Sequence, residues 1–486
     1  MIENEYGILG ACMVPHPPII LPEVGRGEEK KIEATTASYL AAAQEIADLA
    51  PDLIIISSPH ATVYADYFHI SPGLHAAGDL SRFGAGEVRF TEEYDHEAVD
   101  LFSVLAKDSG LSAGTAGERE PALDHGTMIP LYFIRKKYTN YKLLRIGISG
   151  LPLADHYRVG QLLQDVCLRL QRRAYFVGSG DLSHKMKEDG PYGFAPEGPK
   201  YDERIMEVMG SGSFGELFDF PESFCKNAAE CGHRSFVMMA GALDGMALDI
   251  RKLTHEATFG VGYGVCTYRV NGTEEARRFL KRREESVNAG EHTANAGEDC
   301  WVRLARRSLS SKILTGKTLN DADGIVRELT KDMESTEQER IRRELLETQA
   351  GAFVSLHKHG ALRGCIGTFL PTTECVASEI LQNAVSAALH DPRFDPVDAS
   401  EIGELEIHVD VLSTPERIPD RSLLDVKRYG VIVTSGHKRG LLLPDLDGVD
   451  TVDEQISIAC RKAGIRPGEE ISLQRFEVIR HEVKKA

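Results

Sequence analysis

The chain has 486 residues, 42% hydrophobic and 27% charged, with a net charge of -18. That composition builds folded cores and, as a soft prior, spans roughly two to four domains. The acidic balance argues against nucleic acid and anionic membrane surfaces as partners. No apolar run approaches the roughly 20 residues of a membrane span. Nine cysteines without a Cys-x-x-Cys pair argue against a disulfide framework or structural zinc and for a reducing cytoplasm; the acidic N-terminus has no signal-peptide pattern.

A short apolar run, Ile8 to Val14, stops at Pro15-His16-Pro17-Pro18. Its length and the prolines predict a buried strand that gives way to a rigid loop at His16. A helix is expected over roughly Glu28 to Leu49, closed by Pro51. Asp52 to His60 (DLIIISSPH) then repeats strand, small-residue loop, histidine. Strand, helix, strand is a βαβ unit with parallel strands, so His16 and His60 are expected at one sheet edge.

Ser81 to Glu93 reads as a loop or hairpin, and Asp95 to Lys107 as a helix. Asp124-His125-Gly126 opens another helix, with Pro130 tolerated only in its first turn. Lys142 to Ser149 is a strand, Asp155 to Leu170 an amphipathic helix, and Ala174 to His184 a third strand-loop-histidine unit. Glu230 and Cys231 precede an apolar helix over roughly Ser235 to Ala247. Phe259 to Arg269 is a final strand. These elements make residues 1–275 one α/β domain.

Glu285 to Asp299 has almost no large apolar residue, and 276–299 reads as a linker. Residues 300–486 form an α+β domain. It has a helix over Trp301 to Leu314, a hairpin of Gln349 to His357 with Ala361 to Phe369, and a helix over Val376 to Leu389. An alternating strand follows over Leu405 to Leu412, with further strands near Gly430, Gly440 and Ile471.

Two imidazoles and one carboxylate with vacant positions suit non-haem Fe(II), the vacancies taking substrate and dioxygen. His16 and His60 supply the imidazoles, and Glu230 is the candidate carboxylate. Cys231 is its rival, and a thiolate favours copper(I) or zinc. Adjacent residues seldom both reach one ion, so the two readings compete. His184 and His125 are the spare histidines for proton transfer. Ser58 and Ser183 lie outside any G-x-S-x-G elbow. Gly178-Ser179-Gly180 is small enough to cradle an anion but too short for a nucleotide motif.

Pro15-His16-Pro17-Pro18, Pro59-His60, Asp124-His125-Gly126 with Pro130-Leu131, and Gly178-Ser179-Gly180-Asp181-Leu182-Ser183-His184 resemble class III extradiol ring-cleavage dioxygenases of the LigB type, over roughly Met1 to Val270. The same stretch resembles the MEMO family, which shares that fold and has a Cys-Gly like Cys231-Gly232. Leu362-Arg363-Gly364-Cys365-Ile366-Gly367, Asp391-Pro392-Arg393-Phe394 and Gly440-Leu441-Leu442-Leu443-Pro444 look like an AMMECR-one domain over roughly Cys300 to Ala486. The whole chain is similar to fused proteins of the AmmeMemoRadiSam system.

The dioxygenase resemblance implies a mixed central sheet flanked by helices and Fe(2+) on His16, His60 and a glutamate, carried onto Glu230. It also implies acid–base work by His184 and contact of His125 with substrate or oxygen. The expected activity is insertion of O2 into a catechol-like small molecule. The MEMO resemblance points to Cys231, and with it to copper or zinc and a metal-binding role without ring cleavage. The AMMECR-one resemblance implies an α+β fold and a radical SAM protein as partner. Cys365 reads as a packed residue on a strand rather than a nucleophile. The oligomeric state, a homo-oligomer included, stays open.

Overall fold

The computed structural model describes residues 6–289, 297–446 and 448–483. The chain divides into two compact units, Met1–Arg283 and Glu284–Ala486. In the first, six strands form a mixed sheet: β1 (Gly7–Val14), β2 (Leu53–Ser58), β3 (Lys142–Gly147), β4 (Arg173–Ser179), β5 (Met246–Glu256) and β6 (Tyr263–Thr273). Their order is β3-β2-β4-β1-β6-β5. The pairs among β1 to β4 are parallel, and β6 runs antiparallel to both β1 and β5.

The central strands read as continuous apolar runs because both sheet faces are covered. Ile8, Ala11, Met13 and Ile55 join one core, with α3 (Leu153–Arg169) and α4 (His233–Ala242). Cys12, Val14, Ile54 and Ile56 join the other, with α1 (Glu33–Leu49) and α2 (His125–Arg135). The result is a three-layer α/β/α unit.

β1 and β2 are parallel, as the crossover requires, but β4 lies between them. Their carboxyl ends, and that of β4, therefore open on one edge, the usual ligand crevice of an open α/β sheet.

Several local expectations are corrected. The helix from Glu28 begins as a 3-10 turn, Glu28–Ile32, and ends at Ala50 in the left-handed region (φ 46°) rather than at Pro51. The helix expected to reach Ala247 stops at Ala242, and β5 follows. Pro130 stands inside α2, beyond its first turn. The hairpin alternative for residues 81–93 holds, with His75–Leu80 pairing antiparallel to Ala85–Glu93.

The second unit is α+β. Its strands are β7 (Ala352–Lys358), β8 (Ala361–Gly367), β9 (Leu405–Leu412), β10 (Glu416–Ile418), β11 (Tyr429–Ser435), β12 (Lys438–Leu442) and β13 (Ser472–His481). They form one sheet of order β8-β7-β9-β13-β11-β12 with β10 on β13, and every pairing is antiparallel. α5 (Cys300–Thr315) and α6 (Val376–Leu389) cover one face of β7 and β9. α7 (Val452–Ala463) packs over β11 and β12.

Cys365 lies on the edge strand β8. Its amide donates to Asp391 Oδ2 at 2.9 Å, its carbonyl accepts from Arg393 at 3.0 Å, and Ser355 Oγ donates to its Sγ at 3.1 Å. Asp391 and Arg393 thus occupy edge groups that would otherwise be free to pair with another strand. The stretch read as a linker, 276–299, contains the helix Phe279–Ala289 in its first half. Its residues 290–296 lie outside the described residues. Among the described residues no helix is long and apolar enough to cross a membrane.

Candidate metal centre

Three chain segments meet at the carboxyl edge of the sheet. After β1, the His16 amide donates to Asp181 Oδ1 at 2.7 Å, and the Tyr39 hydroxyl of α1 donates to the Pro15 carbonyl. These bonds, with the flanking prolines, fix a ring that is only 2% exposed. After β2, the His60 amide donates to Ser58 Oγ at 3.1 Å, and that hydroxyl donates to Asp124 Oδ1 at 2.6 Å. Cys231 precedes α4. It reaches the site because Gly180 and Gly232 pass backbone to backbone: a Cβ on Gly180 would lie 2.1 Å from Gly232 Cα. Asp181 N donates to Cys231 Sγ at 3.3 Å.

His16 Nε2 lies 3.0 Å from His60 Nε2 and 3.6 Å from Cys231 Sγ. One donor atom from each of the three residues falls within 4.8 Å of the others, a grouping able to hold a metal ion. Ligands on one tetrahedral ion at about 2.0 Å (nitrogen) and 2.3 Å (sulfur) stand about 3.3 Å apart for two nitrogens and about 3.5 Å for nitrogen and sulfur. The residues present fit such an ion.

The His16 ring is oriented from behind. Ser179 Oγ donates to the Gly126 carbonyl at 2.6 Å and lies 2.9 Å from His16 Nδ1. A hydroxyl has one proton, so with that proton on Gly126, Ser179 must accept from Nδ1–H. Nε2 is then left unprotonated, with its lone pair toward His60 and Cys231. The Gly126 carbonyl is available because Pro130, four residues on in α2, has no N–H to give it. The internal proline, unexpected from the sequence, thus contributes to the metal centre. Ser179 is occupied in this way and does not cradle an anion.

Burial holds the site's imidazoles neutral. It lowers His16 to about 3, where His60 and His125 also oppose a charge while Asp181 favours one. It lowers His60, and it lowers His125 to about 4 with help from His60. Burial first, then Asp181 and Glu230, raises the Cys231 thiol well above its usual range.

Glu230 is not among the convergent donors. Its Oε2 accepts from the His233 amide, the first of α4, at 2.6 Å. Burial raises its carboxyl to about 7 against that bond. Of the two adjacent candidates, then, the geometry brings Cys231 to the histidines and gives Glu230 to a helix start.

His125 opens α2 behind the Asp124 cap, its ring centroid 4.1 Å from His60 and 5.4 Å from His16. With His60 it lines a cavity of about 720 Å³. Behind that wall the buried Arg145, 1% exposed, donates to Ser71 Oγ and to the carbonyls of the lining residues Glu120 and Ala122, and lies 3.6 Å from Asp124. His184 stands off the donor cluster. Its Nε2 is 3.9 Å from Asp181 Oδ2, and its ring stacks on Tyr192. Asp181 therefore links His184 to the His16 backbone. Ser179, Asp181 and Asp124 stood out in the sequence only within motifs, Ser179 as part of an anion cradle, and none of them was given the role of holding a histidine.

A doubly covered mixed sheet with two strand-end histidines and a cysteine on one edge gives the first unit a candidate metal site in an α/β domain; the second unit is α+β. Residues 10–266 match the family described as the catalytic LigB subunit of aromatic ring-opening dioxygenase, and residues 302–486 match AMMECR1. A Clostridium acetobutylicum protein, CA_C1420, is 39% identical over 490 residues, covering 97% of this chain and 98% of its own. A Thermotoga maritima protein is 46% identical over 187 residues, 38% of this chain and 98% of its own. The crystal structure of PH0010 from Pyrococcus horikoshii aligns at a TM-score of 0.32 and 31% identity, covering 38% of this chain and 89% of that one. The chain belongs to the LigB family, in a form fused to an AMMECR1 domain.

Proposed function

We propose that the N-terminal unit is a metal-dependent domain that binds its ion through His16 Nε2, His60 Nε2 and Cys231 Sγ and acts on a small molecule in the adjoining cavity. The observation that carries this reading is the convergence of those three atoms while Glu230 is engaged on the His233 amide. Two imidazoles and a thiolate are a softer donor set than two imidazoles and a carboxylate, so copper or zinc ranks ahead of Fe(2+). When bound, the ion supplies Lewis acidity or, as copper, one-electron chemistry. Ser179 holds the His16 tautomer, His125 meets the substrate at the cavity wall, and the His184–Asp181 pair moves protons. This is a MEMO-type role without ring cleavage. The fused architecture supports a radical SAM protein as partner, and cysteines without a Cys-x-x-Cys pair support the cytoplasm as compartment.

The second reading is Fe(2+)-dependent ring opening of a catechol-like molecule, favoured by the LigB match and by a substrate-sized cavity beside His60 and His125. Metal analysis of protein purified without chelators or nickel, followed by anaerobic reloading and assay on catechol, separates the two. Copper or zinc bound in wild type and Glu230→Gln but lost in Cys231→Ser supports the first reading. Iron loading with catechol cleavage, sensitive to Glu230→Gln, overturns it in favour of the second.

A further inference from the structure

The second unit carries a histidine pair of its own. Leu356 of β7 and Ile407 of β9 point into the core under α5 and α6, so the next residues, His357 and His408, project from the other face of the sheet. In the antiparallel register His357 stands opposite Glu406 and His408 opposite Ser355, which makes the two histidines diagonal neighbours. Their ring centroids are 4.8 Å apart, against 4.7 Å for His16 and His60 of the metal centre. Glu482, exposed just beyond β13, places Oε2 3.8 Å from His408 Nδ1.

The surrounding groups leave this pair without partners of the usual kind. His357 Nδ1 is shut off from water and has no hydrogen-bond partner among the described residues. A nitrogen in that position is rare and costly unless something binds it. Ser355 gives its hydroxyl to Cys365 Sγ at 3.1 Å. Lys358 is held by Glu401 and Glu404, and Arg480, whose charge also reaches Glu482, is bonded to Asp410 at 2.8 Å. Among the described residues neither Glu406 nor Glu482 has a lysine or arginine within ion-pair distance. Burial lowers His357, and His408 opposes a charge on it while Glu406 favours one. Its ring is therefore held in the neutral form that ligates metals.

We infer that His357, His408 and Glu482 bind a divalent transition-metal ion on this face of the second unit, with Glu406 beside it. Two imidazoles and a carboxylate suit zinc, copper or nickel, and three protein ligands leave a position open to water or a small ligand. The donors are spread more widely than those of His16, His60 and Cys231. Nitrogen and oxygen on one tetrahedral ion stand about 3.3 Å apart, so Glu482 must close by about half an ångström, which rotation of an exposed side chain supplies. The site lies wholly in the second unit and does not depend on what fills the first.

The test uses the full chain stripped of metal and titrated with zinc. Competition with a chromophoric chelator counts the ions, and mass spectrometry follows modification of each histidine by diethyl pyrocarbonate. Saturating zinc is expected to block modification of His357 and His408. Glu482→Gln is expected to weaken that protection about tenfold or more, since loss of a ligand costs at least as much as loss of a ligand's support. The double variant His357→Gln with His408→Gln is expected to hold one ion fewer than wild type. Cys231→Ser is expected to leave the protection of both histidines intact. Glu482 is exposed, so its variant keeps the test open where a histidine variant does not fold, and circular dichroism checks this.

Equal modification of His357 and His408 with and without saturating zinc overturns the inference. So does an ion count unchanged in the folded double variant, or protection indifferent to Glu482→Gln. Protection lost in Cys231→Ser overturns it as well, because the ion would then belong to the metal centre of the first unit.

Discussion

Replacing Ser179 with alanine removes one oxygen that serves two buried groups, His16 Nδ1 at 2.9 Å and the Gly126 carbonyl at 2.6 Å. Each loses its partner where water is excluded, and an unsatisfied buried group costs about 1–3 kcal/mol. The N-terminal unit is therefore expected to lose about 2–6 kcal/mol of unfolding free energy. The effect on the metal is separate. Without an acceptor at Nδ1, the ring no longer prefers the tautomer with Nε2 free, and loss of such a support lowers metal affinity about 10–100-fold. Competition with a chromophoric chelator measures the affinity on protein shown to be folded, and urea unfolding measures stability. Ser179→Thr keeps the hydroxyl and is expected to retain affinity where alanine does not. Affinity in Ser179→Ala within about twofold of wild type would refute the relay from Pro130 through Gly126 and Ser179 to His16.

Glu230→Gln should cost about 1 kcal/mol as a weakened hydrogen bond to the first amide of α4, read by thermal melting, and leave metal affinity unchanged. Tyr39→Phe leaves the Pro15 carbonyl without its hydroxyl donor and should destabilise by about 1–3 kcal/mol in urea titration. In the second unit, Arg306 and Glu298 form a buried pair, and Arg306 also donates to the Ile402 and Leu405 carbonyls. Arg306→Ala should cost about 3–5 kcal/mol by the same titration, because it strands a buried carboxylate.

Two glutamates of that unit, Glu379 buried and Glu401 half-buried, predict its acid response. Burial alone would raise both. Bonds from Thr368, Thr372 and Thr373 instead lower Glu379, and bonds from Arg363, the Asp398 amide and Lys358 bring Glu401 to about 2. A carboxyl lowered by folding stabilises above its unfolded value, here 4.5, and that stability is lost as pH falls toward the folded value. Melting temperature should drop between pH 4.5 and 2, and less steeply in Glu401→Gln, as followed by circular dichroism.

The edge on which the site lies could be read from the sequence because parallel strands send their carboxyl ends the same way. Ile8 to Val14 and Leu53 to Ser58 were plain apolar runs, each ending in proline and histidine. That β4 separates them was not legible, since strand order in a doubly wound sheet depends on where the later chain inserts. β5 escaped because its sequence, MALDIRKLTHE, mixes charge with apolar residues as a half-exposed edge strand does, and an apolar helix runs almost into it. Pro130 was placed by a rule that counts lost hydrogen bonds. Here the freed carbonyl has another donor, from a residue distant in sequence. The placing of Glu230 and Cys231 was legible only as two alternatives: both stand before one helix, and it is the fold that sets Glu230 on the His233 amide and Cys231 Sγ 3.6 Å from His16 Nε2.

The central claim is that sulfur from Cys231 completes the donor set with His16 and His60. X-ray absorption at the metal edge of the loaded full chain tests it most directly. One sulfur scatterer at about 2.3 Å with imidazole nitrogens at about 2.0 Å, the sulfur absent in Cys231→Ser, is the predicted result. A shell of nitrogen and oxygen alone in wild type, changed by Glu230→Gln and indifferent to Cys231→Ser, would contradict it.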